Sequence, residues 1–374
     1  MNNNLQLPPI IKWPGGKEKE LKYILPNLPK FNRFFEPFVG GGSVYMAINA
    51  SEYYINDLST ELITLYRNIA TSDKLFFHYV ELMDKSWIKA YEFYRKYNTL
   101  TELYIKFREN IIQRNELKKS IQLFCQDAKD EITTIIDSEF YSFSVILIKE
   151  LEINLFRKMI RMFDLEQKKN ILPDKDLQDN IETAIKSALY MTYRKMYNDN
   201  IIMKDSALHC ALFFFIRNYS YSGMFRYSSK GEFNVPYGGI AYNSKLMGKK
   251  LNFYRSSQVL NHFKSTNIHN LDFEEFLRFT QPSENDFIFL DPPYDSEFST
   301  YAQNTFTKLD QERLANFMIT KCRAKWMMII KNTEFIYNLY NKPGINITSF
   351  NKEYLVSFMN RNNKKVTHLL ITNY

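Results

Sequence analysis

The chain has 374 residues, 45% hydrophobic and 24% charged, with a formal charge of +8 and a pI near 9.0. That length suits one large domain with an insertion, or two domains, and the ordinary composition excludes a fibrous or disordered chain. The basic balance favours a polyanionic partner, most often nucleic acid.

The abundance of Phe and Tyr comes with abundant Ile, Asn and Lys, the mark of AT-rich codons, so it carries no functional weight. Cys125, Cys210 and Cys322 lie far apart and make no paired pattern, which predicts a reducing, cytoplasmic setting. Five scattered histidines offer no ligand spacing, and no metal site is expected. The polar start "MNNNLQLPPI" is unlike a secretory signal, and no apolar run approaches the ~20 residues that span a bilayer.

In chain order, "IIKWPGGK" comes first: an apolar pair, an aromatic, a Gly-Gly turn and Lys17, which could pair with a carboxylate. Without other motifs, a plain Pro-Gly turn is the preferred explanation. "RFFEPFVGGGSVYMAI" follows, read as a strand ending at Glu36, a triple glycine, and a helix from near Ser43. Glycines let backbone approach a ligand closely, and a helix N-terminus would add free N–H groups. A tight turn without ligand remains the alternative. Neither the G-x-G-x-x-G nor the P-loop pattern is present. "EYYINDLSTELITLYRNI" reads as strand, acid and helix, with Asp57 placed to accept from ribose hydroxyls at the carboxyl edge of a sheet.

From Ser43 to Ser222 there is no glycine, and Pro173 is the only proline. Apolar residues recur there at three- and four-residue steps with Lys and Glu between them, which predicts helices. "RNELKK" reads as a solvated helix face. Glycine then returns in "RNYSYSGMFRYSSKGEFNVPYGG", residues 217–239, which by itself reads as a Gly-rich hairpin. Near the end, "NDFIFLDPPY" and "AKWMMIIKNTE" are buried strands, and "KKVTHLLITNY" closes with alternating apolar positions. Strands alternating with helices predict an α/β chain with a mostly parallel sheet covered on both faces. The expected division is residues 1–74 and 256–374 for that domain, with a mainly helical insertion over residues 75–255.

"DFIFLDPPYDSE" carries the most chemistry. Asp291 ends a buried strand at the edge where ligands bind in open α/β sheets. Pro292 and Pro293 stiffen the backbone and remove two N–H donors. The result is an acceptor-only corner, the Asp291 carboxylate and the Pro292 carbonyl, beside the flat face of Tyr294. An amino group on a planar ring could give one hydrogen to each acceptor, which localises its lone pair. A methyl electrophile held in line about 3 Å away could then react with no metal.

"KWPGGK", "FFEPFVGGGSV", "YYINDLS" and "FLDPPY", in this order, resemble the DNA adenine methyltransferase (Dam) family, the alpha-group N6-adenine enzymes. The resemblance covers over half the chain. It implies a Rossmann-like, mostly parallel methyltransferase sheet with an inserted, mainly helical DNA-recognition domain. It implies S-adenosyl-L-methionine as cofactor, bound by Trp13, Lys17, the loop from Glu36 through Phe38, Gly40 and Gly42, the acid Asp57, Asp272 and Phe273 in "NLDFEEF", and Asp291. Asp291, Pro292, Pro293 and Tyr294 match the catalytic corner, with Tyr294 stacked on a flipped adenine. The partner implied is double-stranded DNA, met by Lys12 and by residues 217–239. There Tyr221 matches a stacking aromatic and Arg226 a guanine-reading arginine, with Ser222, Met224, Asn234 and Pro236 as further DNA-facing positions. Ser222 stands where the family pattern has Asn, and Gly239 where it has Arg, so the resemblance leaves the recognition sequence open. The insertion is longer than in compact members, which suits the modification enzyme of a restriction system, a monomer with a separately acting endonuclease. The alternatives are an amino-methyltransferase for RNA or protein glutamine and a catalytically silent DNA-binding homologue.

Overall fold

The computed structural model describes residues 7–204, 206–294, 306–353 and 365–374. The polar start at 1–6, the "DSE" at 295–297 and residues 354–364 of the closing segment lie outside the described residues. The chain divides into two compact units, Met1–Thr71 with Tyr254–Tyr374, and Ser72–Phe253.

The first unit holds a seven-stranded sheet of β1 (Arg33–Glu36), β2 (Glu52–Asn56), β3 (Thr266–His269), β4 (Phe287–Leu290), β5 (Lys325–Lys331), β6 (Asn346–Glu353) and β7 (Lys365–Thr372), in the order β3-β2-β1-β4-β5-β7-β6. Strands β3 to β5 in that order are parallel, with Phe35 opposite Tyr54 on one side and Ile288 on the other. β7 runs antiparallel to both of its neighbours. All four residues of β4 are buried, as a strand covered on both faces requires.

The order reverses direction between β1 and β4. In doubly wound sheets the crevice at such a point, beyond the carboxyl ends of the two strands, is where ligands bind. Glu36 ends β1 and Asp291 follows β4, so the topology delivers both acids to that crevice. The opposite ends of the same strands are tied by Arg33, whose Nε and Nη2 donate to Asp286 at 3.0 and 2.6 Å. Asp286 also accepts from the Ser283 backbone N–H and hydroxyl.

The second unit is mainly helical: Lys74–Lys96, Thr99–Arg108, Arg114–Asp127, Lys129–Ile135, Ser144–Glu166, Asp174–Asn198 and Ala207–Tyr219. Pro173 stands at the N-cap of the helix Asp174–Asn198, where its missing N–H costs nothing. Among the described residues, no helix is long and apolar enough to cross a membrane.

Arg33 and Ser283 together hold the Asp286 carboxyl below the usual carboxylate range despite burial. The Arg33→Met variant leaves that acid short of its cation and is expected to lose about 3 kcal/mol of stability at neutral pH. A group whose pKa is depressed by folding stabilises above its unfolded value and loses that contribution as pH falls through the folded one. The gap between wild type and variant in urea unfolding should therefore close under acidic conditions; a gap that persists there would remove the ion pair from the account.

Candidate active site

The site grows from the two strand ends. Asp291 forms a buried ion pair with Lys17, whose Nζ also donates to the Gly15 carbonyl at 2.9 Å. Lys17 is 2% exposed, and its ammonium lies 5.6 Å from the centre of the Tyr294 ring. The "PGGK" turn thus delivers a cation to the acid that begins the Asp-Pro-Pro-Tyr corner.

Glu36 is buried beside this pair, and its Oε2 has no hydrogen-bond partner among the described residues. Burial, and secondarily the charge of Asp291, push its carboxyl well above the usual range, against the Tyr45 N–H and Lys17. Asp57 accepts from Gly40 N at 3.0 Å and from Ser59 N at 2.9 Å. Burial still raises its pKa to about 6, with Asp291 adding to the rise. Three carboxyl groups therefore lie close enough to feel one another's charge, and Lys17 pairs with one of them, Asp291.

The glycine loop differs from its sequence reading in one respect. No helix starts near Ser43; a single 3-10 turn, Tyr45–Ala47, joins the loop to β2. The three-residue turn offers no helical dipole, and the Gly40 N–H is spent on Asp57. The glycines answer first to the chain itself. A Cβ on Gly41 would stand 2.3 Å from the Ile11 carbonyl oxygen, and one on Gly40, at φ +50°, 2.8 Å from the Trp13 ring. Ile10 N donates to Gly41 O at 3.0 Å, and the buried Tyr66 hydroxyl donates to Gly40 O at 3.0 Å. Trp13 is thereby packed on the loop, with Lys17 four residues further on.

At the corner, Pro292 is buried and Pro293 exposed. Gln311, fully buried on the helix Lys308–Thr320, donates to the Pro293 carbonyl at 2.8 Å. No described residue donates to the Pro292 carbonyl. The Tyr294 hydroxyl meets His368 Nε2, from β7, at 3.2 Å, with the two rings edge to face at 5.7 Å. Asp272 caps the helix Phe273–Thr280 through Glu274 N, and Arg313 grips both its oxygens at 2.8 Å. Arg313 also lies over the Phe273 ring at 4.4 Å, and Phe38, Phe273 and Phe306 form an aromatic cluster with centroids 5.6 to 5.9 Å apart.

Gln311, His368 and Arg313 went unread in the sequence because their partners are distant in it. Only Gln311 left a signal: a polar residue on the apolar face that continues through Leu314, Ala315 and Met318.

The remaining site residues fall in both units. Lys12 is exposed in the first. In the second, residues 219–238 fold back on themselves through bridges Ser220↔Tyr237 and Tyr227↔Phe233. Tyr221 and Arg226 are exposed with Pro236, Ser222, Met224 and Asn234 are half-buried, and Phe225, Phe233, Val235 and Tyr237 are buried beneath. None of the six predicted positions is buried. Arg226 donates through Nε to Asn234 Oδ1 at 2.7 Å and through Nη2 to the Asn234 carbonyl at 3.1 Å. Gly239, with φ +86°, has open space around it. No group of three or more His, Cys, Asp or Glu placed to hold a metal ion occurs among the described residues.

A doubly wound sheet with an acid corner at its switch point defines a ligand-binding α/β enzyme. The chain belongs to the D12 class N6 adenine-specific DNA methyltransferase family, whose model matches residues 13–164 and 148–356. It is 26% identical to the Type II methyltransferase M.CviBI of Paramecium bursaria Chlorella virus NC1A, over 98% of this chain and 100% of that one. It is 23% identical to the Type II methyltransferase M1.LlaDCHI of Lactococcus lactis subsp. cremoris, over 100% and 97%. The DNA adenine methylase of Escherichia coli K12 is 22% identical over 96% and 93%. The protein is accordingly a DNA adenine-N6 methyltransferase, which sets aside RNA and protein glutamine as substrates.

The Tyr294–His368 contact is open to a double-mutant cycle. Tyr294→Phe, His368→Leu and the double variant should give a coupling of about 0.5–1.5 kcal/mol in thermal unfolding, the net worth of one hydrogen bond. Additive losses would show that the hydroxyl is not held there.

Proposed function

We propose that the Asp291 carboxylate and the Pro292 carbonyl take the two hydrogens of a flipped adenine's exocyclic amine while the Tyr294 ring stacks on the base. The observation that carries this reading is the Pro292 carbonyl, to which no described residue donates, beside an acid paired with Lys17, with Gln311 holding the next carbonyl out of play. Two acceptors aimed from a rigid proline backbone localise the amine lone pair and point it away from the corner. Tyr294, braced by His368, supplies a flat surface that offsets part of the few kcal/mol lost when a base leaves its stack.

The residues present fit S-adenosyl-L-methionine. Three converging carboxyl groups and the unpartnered Glu36 oxygen suit a ligand with a positive sulfonium and ammonium. When bound, the cofactor supplies an electrophilic methyl group. Trp13, Lys17 and the loop from Glu36 to Gly42 would line its methionine part. Asp57 would meet the ribose, and Phe38 and Phe273 the adenine, with Asp272 held in place by Arg313. Asp291 would lie beside the reacting amine, and its carboxylate would receive the proton that the methylated amine sheds.

Residues 221–236 would read double-stranded DNA from their outward side, with Arg226 swinging from Asn234 to a guanine, a contact worth about 1–3 kcal/mol of discrimination. Lys12 would add a backbone contact. The Type II names of two relatives support a role as the modification enzyme of a restriction system, with the nuclease acting separately.

The Asp291→Ala variant is expected to lose at least about a thousandfold in methylation rate, since a positioned acceptor at the reacting atom disappears. Its binding of duplex DNA, measured by fluorescence anisotropy, should stay close to wild type. Turnover near the wild-type rate would reject the corner as the catalytic site.

A further inference from the structure

The turn that carries Tyr221 and Arg226 is conformationally demanding. Ser222, at φ 52°, and Gly223, at φ 62°, are two left-handed residues in a row, and a serine adopts that region only when its surroundings impose it. Local hydrogen bonds contribute: Gly223 N donates to Ser220 O at 3.1 Å and Met224 N to Tyr221 O at 3.0 Å. The larger constraint comes from below. Arg217, near the end of the helix Ala207–Tyr219 and 3% exposed, donates through Nη1 to the carbonyls of Gly223 at 2.8 Å and Met224 at 2.7 Å. Its guanidinium lies 3.9 Å from the centre of the Phe225 ring.

The opposite limb is pinned in the same manner by one face of the helix Asp174–Asn198. The Tyr190 hydroxyl and Arg194 Nη1 both donate to Val235 O at 3.0 Å. Asn198 donates to Phe233 O at 3.0 Å and accepts from Phe233 N at 2.9 Å. These residues sit four apart and aim at backbone, so they hold the limb whatever its outward side chains are.

Burying a guanidinium is costly unless its donors are used. Burial lowers the Arg217 pKa to about 9, so the group keeps its charge at neutral pH. A cation kept under a turn, with its Nη1 donating to two carbonyls of residues that flank the outward side chains while its buried Nε meets no hydrogen-bond partner among the described residues, is placed to set backbone geometry.

We infer that Arg217 is a positioning residue for target recognition: without meeting DNA, it holds the Gly223 and Met224 carbonyls and so fixes the turn that aims Tyr221 and Arg226. This rests on the reading that residues 221–236 face DNA.

The test compares Arg217→Met, Arg217→Lys, Arg226→Ala and the Arg217→Met/Arg226→Ala double variant. Each is assayed for kcat/KM on the preferred duplex and on duplexes with one base pair changed, with S-adenosyl-L-methionine affinity measured alongside. Arg217→Met should reduce discrimination about tenfold, chiefly at the base pair that Arg226→Ala also loosens, as expected when hydrogen bonds to a charged group are lost. Cofactor affinity should stay within about twofold. Arg217→Lys, which keeps charge and donors, should recover most of the discrimination, and the double variant should discriminate no worse than Arg226→Ala alone. If Arg226→Ala relaxes specificity while Arg217→Met and Arg217→Lys do not, the positioning role is overturned and the DNA-reading assignment stands. An equal loss at every base pair with weakened cofactor binding also overturns it, as a general structural defect. If Arg226→Ala leaves specificity intact, the assignment of the segment falls and the inference with it.

Discussion

One buried lysine pairs with one of three neighbouring carboxyl groups, and the site depends on that pair. Lys17 and Asp291 are 274 residues apart in the chain, yet their ion pair closes the crevice where the strand order reverses. The sheet provides the opportunity, because β1 and β4 lie side by side and end at the same edge. The PGGK turn provides the charge. Burial, with the charge of Asp291, pushes Glu36 and Asp57 towards their neutral forms, and a sulfonium beside them would favour their charged forms.

The same constraint explains why the first and last parts of the chain must fold together while a long helical segment intervenes. The cost of closing a loop grows only with the logarithm of its length, so the insertion Ser72–Phe253 burdens the sheet little. Within that insertion the chain uses another device. Side chains from two helices hold the backbone of a surface turn by its carbonyl groups. Ser222 and Gly239, which depart from the family pattern, are both at outward or open positions.

Much of this was legible in the sequence where local pattern and site coincide. β1, β2, β4 and β5 are short, mostly apolar runs ended by an acid or a lysine, and the insertion's helices announce themselves by period. β3 was missed because Thr266–His269 is four half-buried, mostly polar residues that pair only at the sheet edge. A helix was expected after the triple glycine because Val44, Tyr45 and Met46 are apolar. They are buried in a turn that continues directly towards β2, and the glycines serve the packing of Ile11 and Trp13. Gln311, His368 and Arg313 act through partners brought near by tertiary structure, which no local spacing encodes.

The most direct test of the central claim is calorimetry of S-adenosyl-L-methionine binding at pH 6 in two buffers of different ionisation enthalpy. A cation entering a crevice with Asp57 near its pKa and Glu36 held above its ordinary value must drive protons off the acids. The account predicts release of at least about half a proton per cofactor, with affinity rising as pH rises from about 5 to about 7. Binding that releases no proton and ignores pH over that range would contradict it.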